Sequence, residues 1–185
     1  MSRVAEISPE AEDLTALIRR AQDGSEAALE ILIARFQDRI AGFVYSLIGR
    51  DDTIEDLCHD IFIKMISGLS GLKNPDAFEA WLFRIARNVA MDSLRRKRLW
   101  RMFVPFEPKH EQIAEAPRSG DSRIEEFRAA LEGMPPNQKE LILLLAENDW
   151  SYEQLAEITR SSVSAVKSRL FRAREYLRQR VADED

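Results

Sequence analysis

The segment Ala80 to Arg101, AWLFRIARNVAMDSLRRKRLWR, sets an aromatic and apolar stripe beside a dense row of cations. At 100° per residue, Phe78, Trp81, Leu82, Ile85 and Val89 fall on one helix face, while Arg84, Arg87 and Arg98 fall roughly opposite, with Arg95 flanking them. One face packs. The other presents guanidinium groups, whose characteristic chemistry is the binding of phosphate. From Arg84 to Arg101 there are seven Lys/Arg, Arg96 and Lys97 among them, against a single acid, Asp92, in a chain whose formal net charge is -5. Such a cluster repels itself and is relieved by a polyanion, whereas a merely solvated face would mix in acids. The pattern points to nucleic acid.

A second basic cluster lies near the C-terminus, where Arg160 to Arg180 holds seven Lys/Arg against Glu175 alone. Tyr152 to Ile158, a turn at Thr159 to Ser161 and a helix from about Ser162 have the spacing of a helix-turn-helix, whose second helix enters the major groove. On that helix Val163, Val166, Leu170, Ala173 and Leu177 form the inward stripe, so Ser164, Ser168 and Arg172 point furthest out, with Lys167 and Arg169 on the flanks. Hydroxyls near the helix start can approach base edges, an arginine one turn later can read guanine, and the flanking cations suit phosphates. Taken alone, this segment also fits a solvated face on a helical hairpin.

Nothing catalytic accompanies these cations. The chain has no Gly-rich phosphate loop, nucleophile elbow or zinc signature, so it is not expected to be an enzyme. Cys58 is the only cysteine, which excludes an intrachain disulfide and fits a reducing cytoplasm. Its neighbour His59 diverges from it by 100° on a helix, and His110 is the only other histidine, so neither a metal site nor a cofactor is expected. No apolar run reaches the roughly 18 residues that span a bilayer, and the polar, acidic opening MSRVAEISPEAED is unlike a signal peptide; no membrane insertion is expected.

The elements that must position the cations are helical throughout. In 185 residues, 32 % are charged, Gly and Pro number seven each, and extended β-branched runs are missing. Ser8-Pro9 opens a first helix that stops at Asp23-Gly24. Ser25 opens a second, ending at Gly49, and Thr53 a third, with Leu57, Ile61, Met65 and Leu69 aligned and Gly68 and Gly71 at its end. Asn74-Pro75 starts the fourth, basic helix. Residues 9–101 then form one compact domain. Residues 102–122, with Pro105, Pro108, Pro117 and Gly120 and no sustained period, read as a flexible linker, and 123–181 form a second helical domain. The expected fold class is all-α, two small helical domains joined by that linker.

In its residues the chain resembles the extracytoplasmic-function sigma factors of bacterial RNA polymerase, over nearly its whole length. Glu55-Asp56-Leu57 with Asp60-Ile61-Phe62, then Phe78-x-x-Trp81-Leu82-x-x-Ile85-Ala86-x-Asn88, then Asp92-x-x-Arg95-Arg96, resemble the first family domain. Met134-Pro135, Tyr152-x-x-Leu155-Ala156-x-Ile158 and Val166-Lys167-Ser168-Arg169-Leu170-x-Arg172-Ala173-Arg174 resemble the second. The resemblance implies a promoter-specificity subunit of a stress or environmental response. Its first domain would bind core RNA polymerase through Glu55, Asp56 and Asp60 and open the minus-10 element of promoter DNA. Its second would read the minus-35 element as duplex through Ser164, Lys167, Ser168, Arg169 and Arg172.

The loop before the Trp81 helix would hold a flipped base, with Lys73, Asn74 and Asp76 as hydrogen-bonding groups, though Asn74 and Asp76 equally suit a helix start. Arg84, Arg87, Asn88, Arg95, Arg96, Lys97 and Arg98 would complete that surface. Trp81, Leu82 and Ile85 have core spacing and support the site. The family often carries Asp-Ala-Glu-Asp where this chain reads Thr53-Ile54-Glu55-Asp56, and His59 and Arg160 also depart from its usual residues. In one branch of the family a Ser/Thr kinase supplies the missing charge, which implies Thr53 as a phosphorylation site; the plainer reading is that Thr53 is an N-cap. An anti-sigma factor is a further implied partner. The competing reading is an autonomous helix-turn-helix regulator that binds duplex DNA without core polymerase, and a third is a helical adaptor for an acidic protein.

Overall fold

A computed structural model of the chain describes residues 13–103 and 122–181. Eight α-helices and one 3-10 turn make up these residues: α1 (Leu14–Gln22), α2 (Glu26–Ile48), α3 (Ile54–Leu69), the turn Pro75–Ala77, α4 (Phe78–Phe103), α5 (Ser122–Glu132), α6 (Pro136–Glu147), α7 (Tyr152–Thr159) and α8 (Val163–Val181). No strand occurs among them. Of the segment expected to be a linker, residues 102 and 103 continue α4, Ser122 begins α5, and 104–121 lie outside the described residues.

The first domain is built on α1 to α4. Asp13 caps α1 through the Thr15 N–H, while the expected opening at Ser8-Pro9 falls outside the described residues. Ser25 caps α2 through the Ala28 N–H, and Gly49, at φ 82°, supplies the left-handed backbone that ends it. The leucine and isoleucine stripe of α3 is buried as its spacing predicts: Leu57, Ile61, Met65 and Leu69 all face inward. Gln22 ties α1 to the end of α3 by donating to the Leu69 and Leu72 carbonyls at 2.9 and 2.8 Å. Phe36 meets Phe78 edge-on and Phe43 meets Phe83 the same way, with centroids 5.4 and 5.5 Å apart. This core holds α4 at a fixed rotation.

The second domain is the helix-turn-helix on a support. A capping box between Ser151 and Gln154 starts α7. Arg160 ends it in the left-handed region at φ 50°, and Ser162 starts the next helix by accepting the Ala165 N–H. Leu141, Leu144, Leu155, Ile158, Val166 and Leu170 are buried between α6, α7 and α8, and α5 packs on the distal part of α8.

The two domains also pack on each other, α6 against α2 and α7 against α4. Trp150, in the turn after α6, lies edge-on to Phe83 of α4 at 6.0 Å, so the two cores join. That contact places α7 and α8 beside the basic helix.

Candidate nucleic-acid interface

Domain packing divides the cations of α4. Arg95, Arg96 and Arg98 are exposed at its C-terminal end, where Arg95 pairs with Asp92 one turn back. An exposed pair of this kind is weak and yields readily to phosphate. Lys97 pairs instead with Asp51, just before α3. Arg84 and Arg87 are half-buried against the second domain: Arg84 Nη1 donates to Glu157 at 3.0 Å and Arg87 Nε to Glu140 at 2.7 Å. Asn88 accepts from Arg87 Nη1 at 3.3 Å. The face that periodicity leaves open to solvent is thus partly covered, by residues 53 and 73 positions further along the chain.

Three apolar side chains missed by the sequence reading stand among the exposed cations. Leu99, Trp100 and Met102 are 52, 71 and 72 % exposed. Aromatic and apolar surface interleaved with guanidinium groups is the composition of a platform for unstacked bases. The signal lay in the sequence: the inward stripe read from periodicity ends at Val89, and apart from Ala90 and Met91 the later apolar residues of the helix have little core to enter.

The loop before α4 starts the helix and also faces a crevice. The Asn74 side chain accepts the Asp76 N–H, and Asp76 accepts from the Thr15 hydroxyl at 3.4 Å. Lys73, Asn74 and Asp76 are exposed, while Phe78 is buried against Trp81. Pro75, Asp76 and Glu79 line an open crevice of about 410 Å³ whose far wall is Asn148, Asp149 and Trp150 of the second domain.

On α8 the hydroxyls of Ser164 and Ser168 and the side chains of Lys167 and Arg172 are exposed. Arg169 is half-buried and donates to Glu140 at 3.3 Å, 18 % of its side chain remaining exposed. Phe171 was overlooked. Seven residues beyond Ser164, it sits on the same face and is 67 % exposed, an apolar group where a thymine methyl could be met. Lys167 lies over the Tyr152 ring at 5.4 Å, which steadies the edge of the same surface.

The start of α3 presents acids. Glu55, Asp56 and Asp60 are exposed, and Ile63 and Ile66, 49 and 43 % exposed, follow further along the helix. Thr53 stands at the N-cap position and is exposed, but its side chain makes no cap bond. Its N–H and hydroxyl both donate to Asp51, at 2.9 and 2.6 Å. Asp51 therefore gathers Thr53 and Lys97. Cys58 is half-buried, and burial pushes its thiol up, away from the reactive thiolate. Among the described residues no cluster of three metal-ligating side chains occurs, and no helix is long and apolar enough to cross a membrane.

Glu140 is the most perturbed acid of the interface. Its side chain is wholly buried; burial raises its carboxyl, and Arg87 and then Arg169 pull it back. Burial lowers the neighbouring Lys139, with Glu132 acting in the opposite sense.

Two stretches of the chain match known protein families. Residues 32–99 match the Sigma-70 region 2 family and residues 124–177 match Sigma-70 region 4. The chain is 30 % identical to the ECF RNA polymerase sigma-E factor of Haemophilus influenzae, covering 92 % of this chain and 97 % of that protein. It is also 30 % identical to the sigma-E factor of Escherichia coli, covering 89 % and 92 %. Among solved structures it resembles CnrH in complex with the cytosolic domain of CnrY, with a TM-score of 0.68, 25 % identity and coverage of 93 % and 99 %. It also resembles the sigma factor RpoE in complex with the anti-sigma factor NepR from Bartonella quintana, with a TM-score of 0.68, 27 % identity and coverage of 84 % and 97 %.

Proposed function

Because the chain belongs to the extracytoplasmic-function sigma factors of bacterial RNA polymerase, we propose that each basic surface described above takes one half of a promoter. The chain partners core RNA polymerase and directs transcription initiation. In our reading the chemistry of RNA synthesis belongs to core, in the cytoplasm, and this subunit contributes recognition alone. Arg95, Arg96, Arg98 and Trp100 track and stack the opened minus-10 strand, with Arg84, Arg87, Asn88 and Lys97 beside them and Lys73, Asn74 and Asp76 at the flipped base. Ser164, Lys167, Ser168, Phe171 and Arg172 read the minus-35 duplex, with Arg169 on a phosphate. Glu55, Asp56 and Asp60, extended by Ile63, form the face for core.

The observation that carries this reading is the order of the two regions on two helical domains, each with a cationic helix bearing exposed apolar groups. Thr53 supports a kinase-controlled step at the same face: the residue is exposed, its hydroxyl rests on Asp51, which also pairs with Lys97, and a phosphate there would carry about -1.5 to -2 charges to the start of α3. RpoE was solved with an anti-sigma factor, and a partner of that kind is proposed for this chain too.

Purified chain mixed with core polymerase and a genomic-fragment library tests the proposal. Transcription starts that depend on the chain and share a pair of upstream elements are expected. Failure to bind core would overturn it. Core binding without transcription would direct attention to Thr53, where Thr53→Asp should restore starts and Thr53→Ala should not.

A further inference from the structure

The loop proposed to hold the flipped base is a short stretch of surface backbone. Ser70 to Pro75 links α3 to the turn Pro75–Ala77, and Lys73, Asn74 and Asp76 stand exposed on it or next to it. Polar groups discriminate between bases only where their backbone is held still, because in a loose loop the cost of ordering offsets the hydrogen bonds made. What grips the inner side of this loop therefore decides how well the three residues can read a base.

That grip comes from α1. The end of α3 has no left-handed residue to close it: Ser70 keeps right-handed backbone, at φ -62° and ψ -23°, so the last carbonyls of the helix need donors from elsewhere. Gln22 provides them. Its amide nitrogen donates to the Leu69 carbonyl at 2.9 Å and to the Leu72 carbonyl at 2.8 Å, which engages both of its N–H groups on the main chain. Lys73 follows directly on the second of these carbonyls. At the far end of the loop the Thr15 hydroxyl, on the same helix, donates to Asp76 Oδ1 at 3.4 Å, and Asn74 Oδ1 accepts the Asp76 N–H at 3.1 Å. Asn74 is left with its NH2 donors, and Asp76 with its second oxygen, for a base. The Trp81 ring lies on Gly68, one turn before the loop, where a Cβ would stand 3.0 Å from it.

We infer that Gln22 is a positioning residue for the minus-10 element: by pinning the Leu69 and Leu72 carbonyls it fixes the backbone from which Lys73, Asn74 and Asp76 meet the flipped base, while Thr15 sets the Asp76 carboxylate from the other end. The inference rests on the assignment of that loop to the flipped base given above. Both positioning residues precede residue 32, where the match to Sigma-70 region 2 begins. Gln22 is half-buried with its donors engaged, so it acts on DNA only through the loop.

The test uses holoenzyme reconstituted from core polymerase and the full chain. A promoter that depends on the chain is prepared with each of the four bases at every position of its minus-10 element, and transcription from each version is compared. The position whose preference is lost in Lys73→Ala and Asp76→Ala is that of the flipped base. Gln22→Met keeps the length of the side chain and removes both donors; it should lower discrimination at that position about tenfold, within the range that one base contact supplies. Thr15→Val removes the hydroxyl alone and should lower it about threefold. Preferences at the other minus-10 positions and throughout the minus-35 element should match wild type. Thermal melting of the free chain shows whether each variant is folded at the assay temperature, and if Gln22→Met is not, Thr15→Val decides.

A fall in transcription from every version, with the ratios between bases unchanged, would make Gln22 a cap for α3 and nothing more, and the inference fails. It fails too if Lys73→Ala or Asp76→Ala shifts the preference at one position while Gln22→Met and Thr15→Val shift none; the loop then keeps its assignment without the brace. If neither loop variant alters any preference, the assignment of the loop to a flipped base falls first, and the positioning role falls with it.

Discussion

Arg160 is the described non-glycine residue with a positive φ, and the turn of the helix-turn-helix depends on it. Its Cβ pays for the left-handed backbone that lets the Ser161 N–H reach the Ala156 carbonyl at 2.9 Å. Arg160→Gly should therefore stabilise the second domain by about 1 kcal/mol in denaturant unfolding, and Arg160→Ala should not. Glu140 carries a prediction in pH. Its carboxyl is raised by burial, which means that the folded chain holds this proton more tightly than the unfolded chain. Its contribution to stability is then complete below the ordinary glutamate value and declines as pH rises through the raised one. Wild type should lose stability relative to Glu140→Gln as pH climbs through the weakly acidic range. Urea unfolding at a series of pH values reads this directly, and a difference that stays constant would contradict it.

At the scale of elements, the exposed end of α4 governs the electrostatics of binding. Replacing Arg95, Arg96 and Arg98 by Gln should flatten the salt dependence of DNA binding by about one counterion unit per lost phosphate contact. An unaltered slope would remove these residues from the interface. On α8, Phe171→Ala should weaken duplex binding without lowering the melting temperature, because a side chain 67 % exposed contributes little to the core.

The helices themselves were legible in the sequence because their signals are local: serine caps, glycine stops and stripes at three- and four-residue steps. Leu57, Ile61, Met65 and Leu69 could be placed inward with no knowledge of what they meet. Arg84 and Arg87 show where such reading ends, since the same periodicity that turns them away from their own core says nothing of a carboxylate supplied 73 or 53 residues later. Thr53 has the residue type and position of a cap, yet Asp51 two residues earlier takes its hydroxyl, a competition between near neighbours that position alone does not decide. Phe171 and Trp100 were readable in principle, as apolar residues off the stripe.

At the scale of the whole molecule, the interface between domains has its own reporter. Trp150 is 8 % exposed and lies against Phe83 of the first domain. With Trp81→Phe and Trp100→Phe it becomes the sole tryptophan, and its emission should move to the red in Arg87→Gln, which removes the ion pair that Arg87 makes with Glu140 across the interface. Emission that stays in place would mean that the Arg87 pair does not hold this part of the interface shut.

Arg39 gives the interface a further property. Its guanidinium donates to Glu79 of its own domain at 3.1 Å, lies within 5.4 Å of the Phe36 and Phe83 ring centres, and reaches Glu147 of the second domain at 3.3 Å. When the domains part, Arg39 surrenders one carboxylate and keeps another, along with both rings. Separation there leaves Arg39 paired while Glu147 passes to water, and the returning Glu147 finds its partner already in place. A cation held in place by its own domain in this way acts as a fixed socket, so that any return of the second domain is guided to the same alignment.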